Sequence, residues 1–441
     1  MSGPEVITLG CRLNAAESEA MRRLAAGQDD LIIVNSCAVT NEAVRQTRQA
    51  IRRAKRARPD ARVMVTGCAA QVEPERFAAM PEVERVLGNG FKSDPTSFLE
   101  IAPAEIRVSD IMAVREQAPH LAASYSERSR AFLEVQNGCD HRCTFCIIPF
   151  GRGNSRSVPA GQVVERVKAL AGEGCREVVL TGVDVTSYGP DLPGAPTLGM
   201  LVERILRHVP DLPRLRLSSL DCIELDERLF EIATGEPRFM PHLHMSFQAG
   251  DDMVLKRMKR RHSRAEAVET VARLKAKRPE IAIGADLIAG FPTETDEMHE
   301  NSVRLIDDCD IVMGHIFPYS PKAGTPAARM PQVAHGVVKE RARALREASA
   351  KRRANWLQGL IGTRQRVLME RGGLGHTENF APVRVSHLRS SRAKSRDAHE
   401  DSVHRISTSR ISTSLDTNGV GEVLEVRITG VLDGVLTGAP A

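Results

Sequence analysis

The sequence predicts an α/β protein with a small parallel α/β domain, a partial (β/α)6 barrel and a small C-terminal β-barrel. Short apolar runs alternate with helical periodicity at the start of the chain, the alternation repeats six times in the middle, and only strand-like runs follow residue 362. A chain of 441 residues is too long for a single hydrophobic core. We therefore assign domains to residues 1–125, 126–330 and 362–441, with a basic linker helix over 331–361.

The composition predicts a cytoplasmic protein with no membrane partner. No apolar run reaches about 18 residues, and the N-terminus has no signal-peptide pattern. The nine cysteines are odd in number and unevenly spaced. Such a distribution favours reduced thiols and metal ligation over disulfide bonds.

In the first domain, each of three predicted strands is followed by a cysteine. The strands are Val6–Leu9, Leu31–Val34 and Arg62–Thr66, and the cysteines are Cys11, Cys37 and Cys68. A helix over about Ala15–Ala26 separates the first two strands. Because the carboxyl ends of parallel strands meet at one edge of a sheet, the three thiols are predicted to converge and to hold a metal cluster. The alternative is that each cysteine is a small buried hydrophobic residue.

The second predicted helix has a basic outer face. Its apolar residues recur at helical spacing, while no acidic residue lies among Arg45, Arg48, Arg52, Arg53, Lys55, Arg56 and Arg58. Two further basic stretches cover Lys256–Arg264 and Lys339–Arg353. One such run alone could be an ordinary solvated face, but three together indicate a polyanionic partner, most simply RNA. Aromatic residues make up only 4% of the chain, which disfavours extensive base stacking.

The spacing C-x3-C-x2-C at Cys139, Cys143 and Cys146 predicts a reactive iron–sulfur site. Electron-transfer [4Fe–4S] cubes use four cysteines, so three leave one iron open to a ligand. The natural occupant is the amino and carboxylate groups of S-adenosylmethionine (SAM), whose reductive cleavage gives a 5′-deoxyadenosyl radical. The alternative is a structural zinc site in which His141 is the fourth ligand.

Polar and small residues follow the predicted barrel strands, where barrel active sites lie. The strands are Ala131–Gln136, Glu177–Leu180, Arg214–Leu217, His242–Phe247, Ile281–Leu287 and Ile311–Phe317. Gly182 would let SAM approach the backbone, and four polar side chains could bind its ribose and methionine groups: Asp184, Ser218, Gln248 and Asp286. The alternative for each polar residue is a loop cap that faces solvent.

Other cysteines and histidines are predicted to have structural roles. Cys175, Cys222 and Cys309 have no partner at ligand spacing and are interpreted as packing residues. We predict that His242 and His244 point to opposite faces of their strand and that neither is a metal ligand.

Several strings resemble the methylthiotransferases, a family of radical-SAM enzymes. They include GCRLNAAESE and TGCAAQ near the N-terminus and TGVDVTSYG, RLSSLDCIELD and GADLIAGFPTET in the barrel. They are most similar to the branch that acts on threonylcarbamoyladenosine in tRNA. The resemblance implies an auxiliary [4Fe–4S] cluster on Cys11, Cys37 and Cys68, and a nucleotide-facing role for Phe145. It also implies a second SAM as methyl donor, a tRNA anticodon stem-loop as substrate, and an electron donor such as flavodoxin or ferredoxin.

Three other functions stay open at this point. The same chemistry could act on isopentenylated adenosine in tRNA or on an aspartate of a ribosomal protein. A non-enzymatic alternative is a metal-stabilised RNA-binding protein with closed zinc or iron sites.

The C-terminal region is similar to the TRAM domain, a small RNA-binding β-barrel. The string GHTENFAPVRV carries this resemblance, and strands are predicted at Gln365–Glu370, Ala381–Val385, Glu422–Thr429 and Gly434–Thr437. Residues 386–416 interrupt them with a Ser-, Arg- and His-rich segment that contains a tandem Arg-Ile-Ser-Thr-Ser repeat. Because this composition cannot form a core, we predict a disordered insertion.

Overall fold

The computed structural model describes residues 3–98, 105–115, 129–385 and 420–441. The chain divides into two compact units, Met1–Asn355 and Trp356–Ala441. The first unit contains both the predicted N-terminal domain and the predicted barrel. Within the described residues, no helix is long and apolar enough to span a membrane.

The N-terminal part is a parallel five-stranded sheet with its strands in sequence order. The strands are β1 (Glu5–Thr8), β2 (Leu31–Ser36), β3 (Arg62–Gly67), β4 (Arg85–Leu87) and β5 (Glu105–Arg107). The helices are α1 (Arg12–Leu24), α2 (Asn41–Ala57), α3 (Cys68–Val72) and α4 (Pro74–Ala78). The three predicted strands are confirmed. The two additional strands have three residues each, too few to show a periodic pattern.

The helices of this part begin next to the cysteines. Helix α1 starts at Arg12, three residues before its predicted start, directly after Cys11, which has an extended backbone. Helix α2 begins after Thr40, whose side chain accepts a hydrogen bond from the Ala43 amide. The predicted amphipathic character of α2 is confirmed, because Val44, Ala50 and Ile51 are buried under its basic outer face.

The barrel part has six parallel strand segments in chain order. The barrel strands are β6 (Ala131–Glu134), β9 (Glu177–Thr181), β10 with β11 (Arg214–Leu217 and Ser219–Leu220), β12 (His242–Gln248), β13 (Ala282–Ala289) and β14 (Ile311–Pro318). A small antiparallel pair, β7 (Gln136–Asn137) and β8 (Arg156–Ser157), flanks the cysteine loop. The strands form two sheets, β10-β9-β6 and β11-β12-β13-β14, and the break between β10 and β11 falls at Ser218. The predicted six-unit partial barrel is confirmed.

Helices cover the outside of the barrel strands. They are α5 (Ile148–Arg152), α6 (Ala160–Gly172), α7 (Leu198–His208), α8 (Glu227–Gly235), α9 (Asp252–Met258), α10 (Arg264–Lys277) and α11 (Asp296–Asp308). The main hydrophobic core lies between helices and strands and includes Cys175, Cys222 and Cys309, which confirms them as packing residues. Ser263 and Glu266 form a capping box at the start of α10.

The inner face of the barrel is polar. In β10, Leu215 and Leu217 belong to the outer core, whereas Arg214 and Arg216 alternate with them and are buried on the other face. The prediction that His242 and His244 point to opposite faces is wrong, because residues two apart in a strand share a face. Both lie among inner-face groups, and burial, followed by the charges of Arg216 and His244, lowers the pKa of His242.

The basic linker is a single helix, α12 (His335–Gly359). The second unit is a closed barrel of five strands in the order β15-β16-β17-β19-β18. These strands are β15 (Arg364–Met369), β16 (Leu374–His376), β17 (Pro382–Val385), β18 (Val423–Leu432) and β19 (Val435–Pro440). The predicted C-terminal β-barrel is confirmed, and the predicted insertion at 386–416 lies outside the described residues.

Candidate active site

The loop that carries Cys139, Cys143 and Cys146 is fixed at both ends by backbone contacts. Gly138 has φ +75°, and a Cβ there would lie 1.9 Å from the Asn154 carbonyl oxygen, so only glycine fits. The Cys139 amide donates to the Gly153 carbonyl at 3.1 Å. Further along, the Thr144 amide donates to the Met258 carbonyl at 3.1 Å. The loop that carries the three thiols is therefore anchored at both ends.

The donor set of this loop fits a cluster better than a single zinc ion. Potential ligand atoms within 4.8 Å of one another include Cys139 with His141 and Asp184, but not the three thiols together. His141 Nε2 lies 2.9 Å from Asp184 Oδ2 and 3.5 Å from Glu224 Oε1. Hydrogen bonds to these two carboxylates raise the pKa of His141 to about 10, so the imidazole already has two partners.

Two of the three thiols have raised pKa values, so a positive group is needed to stabilise their thiolate forms. Burial, with a contribution from the Asp184 charge, raises the pKa of Cys139. Burial likewise raises the pKa of Cys146 to about 12, although the Ile148 amide donates to its Sγ at 3.4 Å and opposes the shift. Buried thiols of this kind become ligands when a metal centre displaces their protons.

A first cavity opens beside the three thiols. Among the predicted SAM contacts, Phe145, Asp184 and Gln248 line it, together with Ser219 and Arg260. Asp184 Oδ2 lies 3.6 Å from Cys139 Sγ.

Gln136 joins the cysteine loop to the loop after β9. Its Oε1 accepts from the Val183 amide at 3.0 Å and from the Asp184 amide at 2.9 Å. Its Nε2 donates to the Gly138 carbonyl at 2.8 Å. A Cβ at Gly182 would lie 2.8 Å from Gln136 Oε1, which explains the glycine at this close approach.

Arg260 is a functional candidate that the sequence interpretation did not identify. It lies within the basic stretch Lys256–Arg264 but turns inward, where it pairs with Asp221 at 2.7 Å and donates to the Ser246 carbonyl at 2.8 Å. One of its nitrogens lies 3.9 Å from Cys143 Sγ. The guanidinium therefore places positive charge next to a thiol of the loop. The basic stretch Lys256–Arg264 lies only partly on the outer surface.

The second cysteine set converges as predicted at the carboxyl edge of the N-terminal sheet. A Cβ at Gly10 would lie 2.9 Å from Cys37 Sγ, so the chain at Cys11 passes directly over Cys37. Burial, and then the proximity of Cys68, raises the pKa of Cys37 to about 11. Cys11 is the exposed member of the set, and desolvation by the residues around it raises its pKa while Arg152 opposes the shift. The chain therefore has a second set of three adjacent thiols.

Helix α5 connects the two thiol sets. It begins two residues after Cys146 and ends at Arg152, whose Nε donates to Cys68 Sγ at 3.1 Å. A Cβ at Gly151 would lie 3.1 Å from the Cβ of Cys68. At 1.5 Å of rise per residue, five residues span about 7.5 Å, so the two sets lie within one short helix of each other.

A buried ion-pair network fixes Arg152. Glu17 of α1 accepts from Arg152 and lies 2.6 Å from Lys92 Nζ, and all three side chains are at most 2% exposed. Lys92 also donates to Asn35 Oδ1 at 3.0 Å. Burial lowers the pKa of Lys92 and Glu17 opposes that effect. Buried charges of this kind are stable only when paired and hydrogen-bonded.

A second cavity of about 530 Å³ lies between the second thiol set and the barrel. Cys11 and Cys37 line one side, and the other predicted SAM contacts line the barrel side: Gly182, Ser218 and Asp286. Ser219 lines both cavities. The six residues predicted around SAM are therefore divided between two adjoining cavities.

Comparison with known proteins identifies the family. The profile of the Radical SAM superfamily matches residues 133–306, and that of the Uncharacterized protein family UPF0004 matches residues 5–88. The threonylcarbamoyladenosine tRNA methylthiotransferase MtaB of Rickettsia prowazekii is 51% identical over 86% of this chain and 91% of its own length. The chain belongs to the radical-SAM methylthiotransferase family. The enzyme of the same name from Aquifex aeolicus is 36% identical over 86% of this methylthiotransferase and 95% of its own length.

A solved structure resembles part of the methylthiotransferase. The radical S-adenosylmethionine methyltransferase TsrM from Kitasatospora setae is 18% identical, with a TM-score of 0.48 over 72% of this chain and 67% of that one. Family membership makes the protein an enzyme whose cofactors are SAM and [4Fe–4S] clusters.

Proposed function

We propose that this methylthiotransferase converts threonylcarbamoyladenosine beside the tRNA anticodon to its 2-methylthio derivative. The observation that carries the proposal is the approach of two thiol sets, joined by α5, next to a cavity that Cys11 and Cys37 line. The substrate follows the relatives named above, which match almost their whole length. A flavodoxin or ferredoxin in the cytoplasm would provide the electron.

The residues divide into two cofactor sites. Cys139, Cys143 and Cys146 would hold one cluster with an open iron, and Cys11, Cys37 and Cys68 the other. When bound, the first supplies the electron that cleaves SAM to a 5′-deoxyadenosyl radical and the second presents sulfur, while another SAM supplies the methyl group. In the first cavity, the Asp184 carboxylate and the Gln248 amide can hydrogen-bond SAM, and Phe145 offers an apolar face.

The second cavity suits the target base. Its wall at Cys11 and Cys37 faces the sulfur-bearing site, and Ser219 connects it to the cavity of the radical site. Val39 and Phe317 line it as well, and both are partly exposed apolar side chains, at 48% and 37%. Apolar side chains at such an entrance can pack against a base that has left its stack.

Both units offer positive charge for the RNA backbone. Helix α2 begins at the cavity, since Thr40 and Ala43 line it, and carries its arginines outward from there. In the second unit, Arg364 of β15 stands opposite Arg427 of β18. Arg364 also pairs with Glu425 at 3.4 Å, and both arginines are exposed, so they are accessible to a phosphate of the RNA backbone. Such contacts position the tRNA without reading its sequence.

Affinity for tRNA is expected to fall steeply as salt increases, because phosphate contacts release counterions. Changing Arg45 and Arg52 on α2 to glutamine should make the plot of log K against log salt less steep. The magnitude of its slope should fall by about 0.9 for each phosphate that is no longer neutralised. The measurement is a titration of fluorescent tRNA at several salt concentrations. The matched control is Arg273→Gln and Arg304→Gln on α10 and α11. A wild-type affinity that does not change with salt contradicts the proposed phosphate contacts.

The function is tested by nucleoside analysis. Reconstituted enzyme, SAM and dithionite are incubated with tRNA that carries threonylcarbamoyladenosine, and the digest is examined by mass spectrometry. A product heavier by one methylthio group in place of hydrogen is expected. Modification of isopentenyladenosine tRNA alone, or of neither tRNA, would overturn the substrate assignment. Binding of tRNA without any consumption of SAM would contradict the proposed reaction.

A further inference from the structure

Three side chains that commonly bind metal ions meet on the barrel wall of the second cavity. They are His244 of β12, Asp286 of β13 and His315 of β14, and all three line the cavity. Parallel pairing sets His315 opposite Asp286, and His244 opposite Gly284, two residues before Asp286. Because residues two apart in a strand share a face, this register brings the three side chains to one side of the sheet.

The ligand atoms of this triad have the spacing of a coordination sphere. Asp286 Oδ1 lies 3.0 Å from His244 Nε2 and 3.3 Å from His315 Nδ1. One ligand atom from each residue lies within 4.8 Å of the other two. Ligand atoms that are each about 2.1 Å from a zinc ion are about 3.0 to 3.4 Å from one another, depending on the coordination angle. The two distances from the carboxylate therefore fit an ion between the side chains as well as they fit hydrogen bonds.

The two imidazoles also have the mutual arrangement of neighbouring metal ligands. Their ring centroids are 4.7 Å apart, and the ring planes are tilted by 39°. A centroid lies about 3.2 Å from a zinc ion bound by its ring nitrogen, so neighbouring imidazole ligands place their centroids about 4.5 to 5.2 Å apart. Gly284 makes room for this arrangement, since a Cβ there would lie 2.5 Å from His244 Nδ1.

The triad is accessible from the cavity and contains an ionised group. The side chain of His315 is 58% exposed and that of Asp286 is 26% exposed. Although burial opposes its ionisation, hydrogen bonds from the two imidazoles hold the pKa of Asp286 well below its usual range. Two imidazoles and a carboxylate are a ligand set that suits divalent transition metals.

A guanidinium nearby limits the expected affinity for a cation. Arg12 lines the same cavity, and its charge interacts with that of Asp286. A bound cation would compete with Arg12 for the carboxylate, and like charges repel. We therefore expect a dissociation constant between about 1 and 100 µM, which is much weaker than that of structural zinc sites.

We propose that His244, Asp286 and His315 bind a divalent transition-metal ion such as Zn²⁺. Three protein ligands leave a coordination position open, and water or an oxygen of a bound nucleotide completes it. The site contains no cysteine, so it is separate from the two thiol sets, and ion binding does not depend on the proposed reaction. The sequence interpretation did not treat His244 as a ligand, since Asp286 is 42 positions away on another strand.

The test measures zinc binding to the full chain with both clusters reconstituted. Equilibrium dialysis against buffered Zn²⁺ should give one zinc per chain. In Asp286→Asn and His315→Gln, the dissociation constant should rise at least about tenfold, since even outer-shell changes lower metal affinity 10- to 100-fold. Iron content is measured on the same samples, so that loss of a cluster is distinguished from loss of zinc.

The matched control removes an imidazole from another imidazole–carboxylate pair. His376 Nδ1 lies 2.8 Å from Glu370 Oε1 in the second unit. His376→Gln should leave the dissociation constant for zinc unchanged.

X-ray absorption at the zinc edge identifies the ligands in wild type, so this measurement does not depend on the folding of a variant. Nitrogen and oxygen neighbours at about 2.0 to 2.2 Å are expected. Sulfur neighbours at about 2.3 Å would place the zinc on cysteines and overturn the proposal. Absence of zinc binding below about 1 mM, or equal affinities in wild type, Asp286→Asn and His315→Gln, would overturn it as well.

Discussion

Cys143→Ala is expected to abolish the formation of 5′-deoxyadenosine. Cys143 lies in the loop whose ends are fixed at Gly138 and Thr144, and no other thiol among the described residues can take its place there. A missing ligand should lower the rate by more than about 100-fold, since even outer-shell changes cost 10- to 100-fold. The measurement is chromatographic quantification of 5′-deoxyadenosine from SAM and dithionite under anaerobic conditions.

Two other cysteine variants serve as matched controls. Cys37→Ala should still produce 5′-deoxyadenosine but no methylthiolated product, with iron falling from about eight to about four atoms per chain, because each cube contains four. Cys175→Ala changes a buried packing residue and should retain all of the iron. Persistent 5′-deoxyadenosine in Cys143→Ala, or about four irons in wild type, would contradict the assignment of two sites.

Arg152→Met is expected to destabilise the first unit by about 3 kcal/mol, at the low end for a broken buried ion pair. The substitution removes one cationic partner of the buried Glu17, which also pairs with Lys92, and removes the donor to Cys68 Sγ. The measurement is a urea titration of metal-free protein. Unfolding is monitored by the reactivity of Cys68, which is 5% exposed in the folded state.

The control for this prediction is an exposed ion pair of similar chemistry. Arg45 pairs with Glu42 on α2, and the two side chains are 63% and 51% exposed. Arg45→Met should therefore change stability by less than about 1 kcal/mol. Equal shifts of the urea midpoint in Arg152→Met and Arg45→Met would show that the buried network contributes no more than a surface pair.

The sequence was sufficient for features that depend on local spacing. The two thiol sets, the strands that precede Cys37 and Cys68, and the basic face of α2 all follow from periodicity and from residues close in the chain. The identity of the cluster ligands stays a prediction, supported by the convergence of each thiol set.

Contacts between distant residues were not predictable in the same way. Arg152 meets Cys68 across 84 positions and Glu17 across 135, and Arg260 meets Cys143 across 117. No periodic pattern connects such pairs, and the string that contains Arg260 reads as part of a basic surface. Ser218 lies at the break between β10 and β11, which a short sequence window does not reveal.

Helix α5 has a consequence for how the enzyme acquires its metal. One end of α5 donates an amide to Cys146, and the other contributes the arginine that touches Cys68. The same five residues contact both sets of thiols, so a cluster in either set would restrain the helix that the other set contacts. Iron loading should therefore be cooperative, and preparations short of iron should contain mostly empty and fully loaded chains with few that are half loaded.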